Sequence, residues 1–201
     1  SSRTRKWCTA RQSPKRSFGP PQADRPRKSD RDERRAVKIF VLRHGMTSNA
    51  ETDEARELTE TGVQEVEKVV NLRLDDLKGV RHIYSSPLLR VKQTLYIAKR
   101  LIGFPGSIKE SPYLKTGSRL PEIVNFANEL DFDSGDVLVS SHQSCTSILV
   151  LWLTGEDILI SNGSLLAIDV DKPEQGAGTI LWQESHNSRD VKRATDFVDQ
   201  F

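Results

Sequence analysis

Short apolar runs alternate three times with stretches of helical period between Val37 and Leu153, and each run ends in a cluster of Ser, His, Arg or Gly. That rhythm narrows the fold more than any other property of the chain. Val37, Ile39, Phe40, Val41 and Leu42 form a run too short for a helix and rich in β-branched residues, the pattern of a buried strand. A helix is expected from about Thr61, where Thr61 and Gln64 fit a capping box. Its buried stripe would be Val63, Val66, Val70, Leu74 and Leu77.

The pattern then repeats. Residues 81–84 read as a second strand, with Ser86 suited to an N-cap and Pro87 to the first helical position. Leu88, Val91, Leu95, Ala98 and Ile102 share one helical stripe, which Gly103 and Pro105 end. A looser stretch follows to about residue 117, then a helix over about 120–130. Residues 136–139 make a third strand, leading into an apolar helix over 147–153 expected to be buried nearly all round. Residues 164–170 and 179–182 read as late strands around a Pro/Gly turn. The alternation predicts an α/β fold: a three-layer α/β/α sandwich with a mostly parallel central sheet.

Three of the strand-to-helix junctions are chemically loaded. The first strand ends in Arg43-His44-Gly45. The second ends in Ser85-Ser86-Pro87, with Arg90 in the first turn of its helix. The third ends in Ser140-Ser141-His142. Ligands of open α/β sheets bind outside the carboxyl ends of the strands. If these strands are parallel, two Arg and two His converge there. Guanidinium forks fit phosphate oxygens, and helix N-termini add backbone donors. A neutral imidazole is nucleophilic near pH 7 and can take a phosphoryl group covalently. A phosphoryl ligand is therefore expected.

Four segments carry a family likeness: residues 39–45, residues 58–62, residues 84–94 and residues 137–142. In order and spacing they resemble the histidine phosphatase superfamily, with its phosphoglycerate-mutase-like fold. Within it the chain is similar to the short SixA-type phosphohistidine phosphatases. The resemblance implies His44 as the phosphorylated residue and Arg43, Arg90 and His142 as the rest of the phosphate pocket. Thr47 falls where the family often has a pocket Thr. Asn49 stands one residue short of a frequent family Asn, and Gln143 replaces the Gly that commonly follows the second His. Thr47, Asn49 and Gln143 are accordingly candidates for substrate contact.

Larger relatives carry a general-acid Glu after the third unit. The comparable stretch here, residues 111–119, has no carboxylate; Glu110 and Glu122 only flank it. An alkoxide needs a proton donor to leave, whereas a protonated imidazole leaves as the neutral base. The expected activity is therefore hydrolysis of a phosphohistidine in a protein, through a covalent intermediate on His44. Two alternatives stay open: a small phosphate ester as substrate, handled by a phosphatase or a mutase-like enzyme, and a phosphate-binding scaffold without turnover.

Charge and cysteine usage bound the rest. Residues 1–35 hold 12 Lys/Arg against 4 Asp/Glu, with Pro14, Pro20, Pro21 and Pro26 and no hydrophobic periodicity. They read as a disordered basic tail, either a linker or a mitochondrial or plastid targeting segment. Residues 36–201 would be the catalytic domain. They carry 18 Lys/Arg against 24 Asp/Glu, so no nucleic-acid footprint is expected of them. Two cysteines, Cys8 and Cys145, with no Cys-x-x-Cys pair, offer no zinc ligand set and suit a reducing, intracellular setting. The cytoplasm is the first expectation, with an organelle left open by the tail. No cofactor or metal is expected, and no apolar run approaches the roughly 18 residues of a membrane span.

Overall fold

The computed structural model describes residues 36–132 and 134–186. The basic segment, residues 1–35, lies outside the described residues, and so does the chain beyond 186.

Strand β1 (Val37–Arg43) is followed by helices α1 (Glu60–Leu72) and α2 (Leu74–Leu77). Next come β2 (Val80–Ser85), α3 (Leu89–Ile102) and β3 (Ile108–Glu110). A 3-10 turn at Pro112–Leu114 leads to α4 (Leu120–Glu129), β4 (Asp136–Ser141) and α5 (Gln143–Thr154). Strands β5 (Leu165–Val170) and β6 (Gly178–Glu184) complete the described fold. The strands form one six-stranded sheet in the order β3-β2-β4-β1-β5-β6. β1 and β2 both run parallel to β4, and β3 runs parallel to β2. β5 and β6 are antiparallel additions on the β1 side.

The two faces follow from the period-two alternation of side chains along a strand. Ile39, Val41, Val137 and Val139 pack with Ile123, Phe126, Leu149 and Leu153 from α4 and α5. Phe40, Leu42, Ile83 and Leu138 pack with Val66, Val70, Val91 and Leu95 from α1 and α3. The result is the expected three-layer sandwich. Its central strands are buried on both faces, which is why they read as continuous apolar runs.

Several local expectations are corrected. Helix α1 is capped by Thr59, whose hydroxyl accepts from the Gly62 N–H at 3.0 Å, not by a Thr61/Gln64 box. The stripe to Leu77 is interrupted at Arg73, which leaves α2 as a separate turn. Helix α3 begins at Leu89 with Leu88 as N-cap, and the Ser86 hydroxyl both accepts from the Leu88 N–H at 3.5 Å and pairs with His142. The stretch after α3 contains β3 and the 3-10 turn. Helix α5 buries one face only: Cys145, Leu149, Val150 and Leu153 face the sheet while Leu151 is exposed. Among the described residues, no helix is long and apolar enough to cross a membrane.

Candidate active site

The three loaded junctions lie side by side, because β2, β4 and β1 are adjacent and parallel. The β1–β4 pairing runs past the last ladder pair, with the His44 N–H donating to Ser141 O at 3.3 Å. His44 therefore leaves the sheet beside the end of β4. His142, the residue after β4, is the N-cap of α5. The two imidazoles meet with ring centroids 5.3 Å apart and planes inclined by 62°.

Three of the four principal side chains are held through one nitrogen, and Arg90 through its two terminal ones. The His44 Nδ1–H donates to Gly45 O at 2.8 Å, which leaves the lone pair on Nε2. His142 Nε2 pairs with the Ser86 Oγ at 2.9 Å. Arg43 donates through Nη1 to Ile160 O at 2.7 Å and to the Gln143 Oε1. Arg90 donates through Nη1 to Asp53 O at 2.6 Å and through Nη2 to the Asp53 carboxylate at 2.9 Å. A second nitrogen stays open on three of them: Arg43 Nε, Arg90 Nε and His142 Nδ1 are buried without a hydrogen-bond partner. Buried polar atoms are normally satisfied, so three open nitrogens on residues grouped with His44 leave hydrogen-bonding capacity for a ligand.

Electrostatics keep both imidazoles neutral. Burial lowers the His44 pKa to about 4, and Arg43, Arg90 and Arg56 push the same way; the hydrogen bond to Gly45 opposes them. Burial lowers His142 to about 3, reinforced by Arg90. Neutral His44 carries an available lone pair across the physiological range. The N-terminus of α5 adds its positive dipole end at His142.

The junction after β1 depends on two glycines. A Cβ on Gly45 would meet Gly62 O at 2.3 Å, and one on Gly62 would meet Met46 O at 2.1 Å. The loop leaving His44 thus lies directly on the first turn of α1. The Thr94 hydroxyl accepts from the Gly45 N–H at 3.4 Å and donates to Arg90 O at 2.9 Å, tying α3 to that loop.

The remaining sequence candidates sit at different distances from the chemistry. Gln143 orients Arg43 with its side-chain oxygen. The Thr47 hydroxyl accepts from Arg56 Nη2, and Asn49 is exposed further along the same loop. Glu110 pairs with Lys92 at 2.7 Å, and Glu122 accepts from the Arg119 N–H at 3.0 Å at the start of α4. Both flanking carboxylates are thus committed elsewhere. Sequence reasoning missed Asp53, the carboxylate bound to Arg90, and Arg56, whose charge reaches His44. Both lie in the loop between β1 and α1, amid Glu51, Glu54 and Glu57, where nothing local distinguishes one acid from another. Cys145 is buried and donates to Lys115 O. Among the described residues, no group of three His, Cys, Asp or Glu side chains could hold a metal ion.

The family model for the histidine phosphatase superfamily (branch 1) matches residues 39–116. The protein histidine phosphatase SixA, solved with tungstate, is 26% identical with a TM-score of 0.67, covering 74% of this chain and 97% of that one. Over residues 39–116 the chain is thus similar to the histidine phosphatase superfamily. The chain shares its fold with two further solved structures. A putative phosphohistidine phosphatase SixA from Agrobacterium tumefaciens has 19% identity and a TM-score of 0.63, over 74% of this chain and 97% of that one. A mycobacterial glucosyl-3-phosphoglycerate phosphatase has 14% identity and a TM-score of 0.56, over 73% and 98%. A sequence comparison with curated proteins returns no match.

Proposed function

We propose that this chain is a histidine phosphatase, with a domain covering residues 36–201, that hydrolyses a protein phosphohistidine through a covalent phosphoryl intermediate on His44. The observation that carries the reading is the set of open nitrogens: Arg43 Nε, Arg90 Nε and His142 Nδ1 around the His44 ring. In the first step His44 Nε2 attacks phosphorus, a P–N bond forms to His44, and the P–N bond to the substrate imidazole breaks. The electron pair of that bond returns to the departing nitrogen. With its other nitrogen protonated, the substrate leaves as neutral imidazole. In the second step water attacks phosphorus, releases phosphate and restores neutral His44. The two guanidiniums and His142 bind the equatorial oxygens in both steps, where charge is greatest. The fixed positive charge of the two guanidiniums, with the neutral His142 as a hydrogen-bonding partner, supplies the stabilisation without a metal.

The choice of substrate rests on proton supply. Glu110 and Glu122 are engaged away from the pocket. Asp53 is close, but its hydrogen bond to Arg90 holds its pKa below the ordinary carboxylate value, which makes it a poor donor near neutral pH. An imidazole leaving group needs no such donor, whereas an alkoxide does. The likeness to SixA over almost that protein's whole length supports the same choice.

The deciding experiment is rapid quench with a 32P-labelled phosphohistidine protein, followed by mapping of acid-labile label. Label on His44, absent from His44→Ala, is expected. A His44→Ala variant retaining full activity on an aryl phosphate would overturn the mechanism. A clear preference for a sugar phosphate over phosphohistidine would overturn the substrate.

A further inference from the structure

Asp53 is the one acidic side chain among the described residues whose contacts with Arg90 the sequence motifs do not anticipate. Its main-chain oxygen and its carboxylate take the two terminal nitrogens of the guanidinium at 2.6 and 2.9 Å. Thr116 supports the same edge, its Oγ1 accepting from Arg90 Nη2 at 3.3 Å and donating to the Asp53 Oδ2 at 3.5 Å. The Arg90 side chain is 3% exposed and that of Asp53 43% exposed. Arg90 is thus fully enclosed, while its clamp sits on an accessible loop.

The arrangement matches how the other three groups are held. Gly45 O fixes His44, Ser86 fixes His142, and Gln143 with Ile160 O fixes Arg43, each by one nitrogen. On Arg90 the terminal edge is likewise occupied, and the donor left open is Nε. A carboxylate that stood in the seat of the anion would instead satisfy the buried open donors. We infer that Asp53 is a positioning residue of this site, clamping the outer edge of the Arg90 guanidinium so that Nε–H stays presented to the phosphoryl group. The inference rests on the phosphatase reading and deepens it, since the loop between β1 and α1 then becomes part of the catalytic apparatus. Precise placement of such a cation matters because an error of about 1 Å can cost about 10²-fold in rate.

The test uses the full chain as wild type, Asp53→Ala, Asp53→Asn and Glu54→Ala, with p-nitrophenyl phosphate as substrate and tungstate as competitive inhibitor. Asp53→Ala is expected to lower kcat/KM by at least about 10-fold, chiefly in kcat, and to weaken tungstate inhibition. Asp53→Asn keeps an oxygen that accepts from Arg90 and should recover to within about 3-fold of wild type. Glu54→Ala removes an equal charge from the same loop without touching Arg90, and should stay within about 2-fold. Should Asp53→Ala fail to fold, Thr116→Val removes the second support and carries the same test with a smaller loss.

Tighter tungstate inhibition in Asp53→Ala would overturn the inference, because the carboxylate would then be competing for Arg90. Equal losses in Asp53→Ala and Asp53→Asn would overturn it in favour of proton transfer by the carboxylate itself. If wild type takes label on His44 while Asp53→Ala matches its every constant, the positioning role alone falls. If wild type neither takes label nor is inhibited by tungstate, the phosphatase reading falls and this role with it.

Discussion

His44 and His142 stand edge to face with ring centroids 5.3 Å apart, one at the end of β1 and the other at the end of β4. Neither ring is free to turn. His44 is pinned by its neighbour's carbonyl, and His142 by Ser86 from a third strand end. The two imidazoles are therefore set by the sheet itself.

Their pKa values of about 4 and about 3 make pH a direct probe. Attack requires neutral His44, so kcat/KM should be level from neutral pH down to about 5 and fall as pH drops through about 4. Stability should respond over a different range. Unfolded histidines take a proton near 6.5, so between about 6.5 and 4 the unfolded chain binds more protons than the folded one. Stability is thus present above 6.5 and declines as pH falls. Urea midpoints at pH 7 and pH 5 check this: a His44→Ala, His142→Ala double variant should lose less on acidification than wild type.

Arg43 offers a test of geometry against charge. Its Nη1 is committed to Gln143 and Ile160 O, and its open donor is Nε. Lysine keeps the charge but cannot be anchored and still donate in the same plane. Arg43→Lys should cost at least about 10²-fold in kcat/KM. Gln143→Ala should cost less, about 5-fold, since Ile160 O still holds the guanidinium. Steady-state kinetics on an aryl phosphate give both numbers.

Gly45 has no room for a side chain, with Gly62 O at 2.3 Å from the position of its Cβ. The obstacle is backbone of α1, which cannot rotate aside. Gly45→Ala should destabilise the protein by about 2–4 kcal/mol and lower turnover, because His44 is the adjacent residue. Urea unfolding measures the first effect. A variant as stable as wild type would mean that the β1–α1 loop relaxes freely.

Chelation should leave turnover unchanged, because the Arg43 and Arg90 guanidiniums supply the positive charge that a metal would otherwise bring. Activity after exhaustive dialysis against EDTA, compared with activity after dialysis into buffer alone, checks this. A loss restored by added divalent cation would contradict it.

Most elements were legible because their determinants are local. The apolar runs of β1, β2 and β4 and the stripes of α1 and α3 repeat at the periods of strand and helix. The errors fell where a tertiary contact outranks a local preference. Ser86 is a good N-cap by composition, but its hydroxyl is shared between the Leu88 N–H and His142, and α3 starts three residues after it. Strand β3 has three residues and little pattern of its own; pairing to β2 makes it a strand. Leu151 belongs to an apolar helix, yet it faces outward because α5 has the sheet on one side only.

By itself the sequence determined that Arg43, His44 and His142 stand at strand ends and Arg90 in the first turn of the helix after β2, and so that the four would share one edge if the strands ran parallel. The local period of each strand or helix places its own residue without reference to the others. What only the tertiary structure decided is which nitrogen of each is held and which is left open, and that Asp53 clamps Arg90. Those relations join residues from separate segments across a few ångströms, and hydrogen-bond energy depends on distance and angle, which no local pattern along the chain encodes.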